Sequence, residues 1–192
     1  MKRVIRNIQK IFNPSEEELD AVVQSLKVVH LNKNDFFLRE GEVCRSMAFL
    51  EQGSMRLFYD AEDREVCNDF YFENSIVGSF ASFLSETPSI VNIAAIEDCE
   101  LLVFSRESAM DLIRQYPSLK RLANVVIEEH LIRAERREAE LLKYPPEDRY
   151  RLLLEIHPKI FSRIPLYFVA SYLNITPETL SRYRKKSMDQ LS

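Results

Sequence analysis

Glycine is nearly absent from this chain of 192 residues, with three copies, and tryptophan is missing altogether. Cysteine and histidine are as scarce, at three each. Cys44, Cys67 and Cys99 lie far apart and form no CxxC pair, so neither a zinc ribbon nor an iron–sulfur cluster is suggested. Their odd number predicts buried structural thiols. His30, His130 and His157 are equally scattered, so no two share metal-ligand spacing. No Ser or Cys has a recognisable partner motif for nucleophilic catalysis. Metal, cofactor and enzyme readings therefore find no support. No apolar run is long enough to span a membrane and no signal-peptide pattern is present, which predicts a cytoplasmic protein. All three glycines, Gly41, Gly53 and Gly78, fall in the first half. So sparing a use predicts positions where the backbone turns tightly or takes positive φ.

What is present points to a globular chain of one large domain or two small ones. Hydrophobic residues make up 46% and charged residues 29%. The formal net charge of −4 conceals an asymmetry. Residues 1–130 hold 14 Lys+Arg against 22 Asp+Glu, whereas residues 131–192 hold 12 against 8. An acidic front joined to a basic back predicts two modules, the back one facing nucleic acid.

Glu16–Leu26 is amphipathic and follows Asn13-Pro14-Ser15, a helix start. Residues 28–105 then read as β-structure. VVHL, DFFLRE, MAFLEQG, MRLFYD, VCNDFYF, VNIAAIE and ELLVFS are short runs rich in Val, Ile, Phe and Tyr, separated by polar turns. Seven or eight closely spaced strands predict a barrel or jelly roll. Arg106–Tyr116 is a short helix.

Pro117–Leu142 reads as one long helix, with Pro145-Pro146 beyond its end. LKRLANVVIEEHLI is too apolar all round for a lone surface helix, whereas RAERREAE is almost wholly polar. One face can cover the β-structure while another meets a second copy. Leu119, Leu122, Val126 and Ile127 are the expected dimer contact.

Residues 164–186, IPLYFVASYLNITPETLSRYRKK, are the most informative stretch. Leu166, Val169, Ala170 and Leu173 form an apolar stripe at helical spacing. Asn174 tolerates the left-handed conformation that ends a helix. Thr176 can N-cap a second helix, with Pro177 at its first position and Glu178 against the dipole. Leu180 and Tyr183 face inward, leaving Glu178, Ser181, Arg182 and Lys185 outside. This pattern is a helix-turn-helix, whose second helix enters a DNA major groove. Arg reads guanine O6 and N7, and Glu accepts from cytosine N4. Glu178 and Arg182 can also orient each other at i,i+4. Arg184, Lys185 and Lys186 supply phosphate charge.

The order β-roll, long helix, helix-turn-helix resembles the Crp/Fnr superfamily of bacterial transcription regulators over nearly the full chain. Gly41-Glu42 through Gly53, Gly78 and ITPETLSR carry the resemblance, the last being most similar to members from Bacteroidetes. It implies an α+β fold: an N-terminal double-stranded β-helix (jelly roll), a long dimerisation helix and a small C-terminal winged-helix/helix-turn-helix domain. Residues 1–116 are then the sensor, 117–143 the dimerisation helix and 144–192 the DNA-binding domain. The implied partners are double-stranded DNA, a second copy of the chain, RNA polymerase and an unidentified small-molecule effector. Glu178, Ser181 and Arg182 match base-contacting positions. Pro177 stands where many relatives carry Arg or Val, so a contact from there is altered.

The sensor departs further. Cyclic-nucleotide-binding members hold the ligand with a Gly-Glu pair and, about ten residues on, an Arg-Ser or Arg-Thr pair. Here those positions read Gly78-Ser79 and Ser89-Ile90. Without the Arg, a buried phosphate has no charge partner, which costs several kcal/mol. Gly78, Ser79, Ser82, Ser89 and Ile90 are therefore the candidate pocket for a smaller polar effector rather than cyclic AMP. The N-terminal cysteine cluster of oxygen sensors is absent, and haem sensing lacks support. Two other classes stay open: a cupin-type enzyme, which needs more His than His30 in the roll, and a non-DNA signalling adaptor, against which the basic RKK run stands.

Overall fold

The protein is described by a computed structural model covering residues 2–11, 13–62, 64–158 and 160–189. Two N-terminal helices, α1 (Lys2–Ile11) and α2 (Glu16–Ser25), lead into eight strands. Ser15 starts α2 through a reciprocal capping box with Glu18. The strands are β1 (Lys27–Leu31), β2 (Phe36–Leu38), β3 (Ser46–Gln52), β4 (Met55–Ala61), β5 (Arg64–Tyr71), β6 (Ile76–Val77), β7 (Asn92–Ala95) and β8 (Cys99–Ser105). Helix α3 (Phe80–Ser85) interrupts them between β6 and β7.

Two four-stranded antiparallel sheets, ordered β1-β8-β3-β6 and β2-β7-β4-β5, face each other as the expected roll. Leu50, Met55, Tyr71, Ile93 and Leu101 fill the space between them. Gly53 makes the β3–β4 turn possible. It has φ +103°, and a Cβ there would lie 2.7 Å from the Asp98 carbonyl oxygen. All three cysteines are buried free thiols, and burial pushes each thiol pKa up.

Helix α4 (Arg106–Gln115) is N-capped by Ser105. Helix α5 (Leu119–Lys143) is the predicted long helix, with Pro117 just before its start. The remaining elements are α6 (Pro146–Ile156), α7 (Ile160–Arg163), α8 (Leu166–Tyr172) and α9 (Pro177–Asp189). Among the described residues no strand follows β8, so the expected wing is not found there; the helix-turn-helix is. No helix among the described residues is long and apolar enough to cross a membrane.

The C-terminal helices do not hang free of the roll. One apolar cluster contains Phe58, Cys67, Phe70 and Ala94 from the β2-β7-β4-β5 sheet, with Ile96 just beyond β7. It also holds Leu153, Phe168, Val169 and Leu180 from the helices.

Candidate nucleic-acid interface

Helix α8 ends in a Schellman motif. Asn174 takes φ 51°, its N–H donates to the Ser171 carbonyl, and the Ile175 N–H donates to the Ala170 carbonyl, each at 3.0 Å. The Thr176 hydroxyl then accepts from the Thr179 N–H at 3.3 Å, capping α9. Val169, Ala170, Leu173 and Leu180 are fully buried, which locks the two helices together. Glu178, Ser181, Arg182 and Lys185 are all exposed on one face of α9.

Three details differ from the sequence expectation. Glu178 and Arg182 form no ion pair; the Glu178 carboxyl is held below its ordinary pKa by its own backbone N–H and the Thr176 hydroxyl. Arg184 turns off the face, with its guanidinium 4.8 Å from the Phe161 ring centroid. Lys186 bonds Glu147 of α6 at 2.8 Å. The open face therefore consists of Glu178, Ser181, Arg182 and Lys185, flanked by two cations engaged within the domain.

Arginines that sequence reasoning missed, three of them buried, hold this unit. Arg137 of α5 donates to the Tyr172 carbonyl and lies 3.6 Å from the Tyr172 ring centroid. Arg149 of α6 donates to the Leu173 carbonyl at 2.9 Å and the Leu141 carbonyl at 3.2 Å. Cations thus meet the C-terminal carbonyls of α8, where the helix dipole favours them. Arg163 of α7 bonds both carboxyl oxygens of Glu73, at 2.7 and 2.9 Å, and also Glu97. Arg56 of β4 is sandwiched between Phe58 and Phe168, at 3.7 and 4.1 Å from their centroids. No sequence spacing announces these long-range pairs.

The candidate effector serines are occupied by the roll itself. Ser82 Oγ accepts from the Cys44 N–H at 2.9 Å and donates to the Thr87 carbonyl at 2.6 Å. Ser89 Oγ donates to the Val91 carbonyl at 2.8 Å. Ser79 is buried at the N-cap of α3 without a side-chain capping bond. Ile90 points outward at 68% exposure. A Cβ on Gly78 would run into the Met47 thioether. Arg106 reaches back to α3, donating to the Phe83 carbonyl at 3.1 Å and pairing with Glu86 at 3.0 Å. The expected polar pocket is a self-bonded loop.

The expected dimer residues contact the protein's own core. Leu119 is buried, and Leu122, Val126 and Ile127 pack on the protein's own core beside it. Apolarity alone identified them, and the nearest apolar surface is their own domain's. The apolar side chains that α5 leaves open are Leu131 and Ile132, at 64% and 67% exposure, and Leu142 near its end.

Residues 28–116 match the cyclic nucleotide-binding domain family. Solved structures extend the likeness over most of the chain. FixK2 from Bradyrhizobium japonicum matches with TM-score 0.74 at 16% identity, over 86% of this chain and 85% of that one. CLP from Xanthomonas campestris, a c-di-GMP responsive global regulator, matches with TM-score 0.73 at 17% identity, over 92% and 93%. The catabolite activator protein of Thermus thermophilus matches with TM-score 0.55 at 22% identity, over 92% and 84%. The chain therefore shares the fold of these solved structures. No curated protein matches it in sequence.

The roll carries no Lys or Arg between Arg64 and Arg106. Arg133 of α5 is 3.1 Å from Asp69 and 5.7 Å from the Tyr71 ring centroid.

Proposed function

We propose that the protein is a dimeric DNA-binding transcription regulator of the Crp/Fnr type, acting at a palindromic operator. Residues 1–116 serve as sensor, 117–143 as dimerisation helix and 144–192 as DNA-binding domain. One observation carries the reading. A Schellman-terminated helix and a Thr-capped helix meet at right helix-turn-helix register, and the second presents Glu178, Ser181, Arg182 and Lys185 as one open polar face. Arg182 has the fork that reads guanine, and Glu178, kept ionised, accepts from cytosine N4. Lys185 adds phosphate charge, and Arg184 and Lys186 join it if their contacts to Phe161 and Glu147 yield to DNA.

The reading includes a dimer through the open face of α5, around Leu131 and Ile132, since two half-sites demand two recognition helices. It also holds that cyclic AMP is not the effector. Ser82 and Ser89 are bonded to neighbouring backbone, and a phosphate there would meet no cation. Charge buried without a partner is too costly to hold tightly.

A mobility shift on random-sequence duplex DNA tests the reading. Binding that weakens steeply with salt is expected for a phosphate-contacting regulator. A chain that shifts no duplex at low salt is the signalling adaptor instead.

A further inference from the structure

The open space in this molecule lies outside the roll. Between the β1-β8-β3-β6 sheet and helices α2, α4 and α5 is a cavity of about 160 Å³. Its wall is hydrocarbon, including Phe49, Phe83, Phe104, Met110 and Ala123. Ser25 is the one polar residue lining it among the described residues, and its hydroxyl already donates to the Val22 carbonyl. A second cavity of about 480 Å³ adjoins it, bounded by α1, the start of β6 and α5. Phe49, Phe80, Leu122 and Val126 line both.

The second cavity is polar, with Lys10, Asn74, Glu129, His130 and Arg133 among its lining residues. Arg133 is paired with Asp69, whereas Lys10 has no ion-pair partner among the described residues. The His130 ring stacks on Phe80 at 4.0 Å. Its Nδ1 is buried with no hydrogen-bond partner among the described residues. A buried polar atom without a partner is destabilising, and a ligand that bonds it removes that cost. Glu129 on the same wall favours a ligand carrying one negative charge over a multiply charged one.

We propose that the adjoining cavities form a binding site for a small amphiphilic carboxylate. Its aromatic ring or acyl chain of about six carbons occupies the apolar cavity, the size of guest that such a dry cavity accepts. Its carboxylate lies across the shared rim, against the Lys10 ammonium and the His130 Nδ1–H. The site uses neither Gly78 nor the cassette serines, and one of its walls is α5.

Calorimetry on the full chain with octanoate, 3-phenylpropionate and 1-octanol tests this. Both carboxylates should bind, with octanol about tenfold weaker because it lacks the charge that Lys10 and His130 meet. Ala123→Phe should fill the apolar cavity and abolish binding of all three. Lys10→Ala should bring octanoate to the level of octanol and leave octanol unchanged. In the unaltered protein, both carboxylates should shift the His130 ring resonances, which keeps the test decisive if Ala123→Phe fails to fold. No binding by either carboxylate overturns the proposal. So does binding that survives Ala123→Phe in a folded chain, a silent His130 resonance, or octanol binding as tightly as octanoate.

Discussion

The hydroxyl of Ser171 closes the edge of the roll, accepting from the Cys67 backbone N–H and donating to the Glu65 carbonyl, each at 2.9 Å. Strand β5 is the outer strand of its sheet, and an outer strand carries unpaired backbone groups that need cover. Helix α8, the first helix of the helix-turn-helix, supplies it. Ser171→Ala should leave both groups unpaired and cost about 1–3 kcal/mol. Urea unfolding should show the loss, and the Cys67 amide should exchange faster with solvent. Unchanged protection of that amide would mean that the contact does not hold the two parts together.

Acid should loosen the same junction through Glu73. The Arg163 guanidinium bonded to Glu73 holds its carboxyl below the ordinary pKa. A carboxylate whose pKa drops on folding stabilises the fold above its ordinary pKa, and the gain disappears as pH falls through the folded value. Stability should therefore decline as pH drops below about 4.5, the ordinary value. Glu73→Gln should be less stable at neutral pH and lose less on acidification. Urea midpoints measured at stepped pH give the comparison, and parallel profiles for the two proteins would contradict it.

The two faces of α5 should respond differently to charge. Glu at both Leu131 and Ile132 should give monomers by light scattering with little change in melting temperature, because both side chains already face water. Glu at both Val126 and Ile127 should lower the melting temperature sharply, because it buries unpaired carboxylates against the roll. A Val126/Ile127 variant that melts like the parent would place those side chains outside the core.

Gly53→Ala should destabilise the roll by about 1–3 kcal/mol, since φ +103° is strained for any L side chain. The new Cβ also presses on the Asp98 backbone, which cannot rotate away. A thermal melt indistinguishable from that of the parent would show that the turn relaxes freely.

Local chemistry made much of this molecule legible in its sequence. Asn174 was readable as a left-handed helix end and Thr176 as a cap because each depends on neighbours within a few residues. The β-roll showed through because β-branched and aromatic runs recur between polar turns. Strand β6 and helix α3 were not readable: Ile76–Val77 is too short for a period, and FASFLS, at six residues, spans less than two helical turns. The sequence could not say which side of α5 faces the roll, since apolar residues occupy both sides of its first half. Arg137, Arg149 and Arg163 escaped notice for a different reason. A structural arginine is identified by the carbonyl or carboxylate it meets, and those partners are distant in sequence. The cassette serines misled because a hydroxyl that could serve a ligand serves a neighbouring backbone equally well.

Selection of bound duplexes from randomised DNA tests the central claim most directly, run with the parent and with Arg182→Ala and Lys185→Ala. The parent should enrich a two-half-site palindrome with half-sites about one helical turn apart. Arg182→Ala should lose about 1–3 kcal/mol on that site and relax one guanine position in each half, whereas Lys185→Ala should weaken all sequences alike. Failure of the parent to enrich any sequence, or equal loss by Arg182→Ala on selected and random DNA, would contradict base reading through α9.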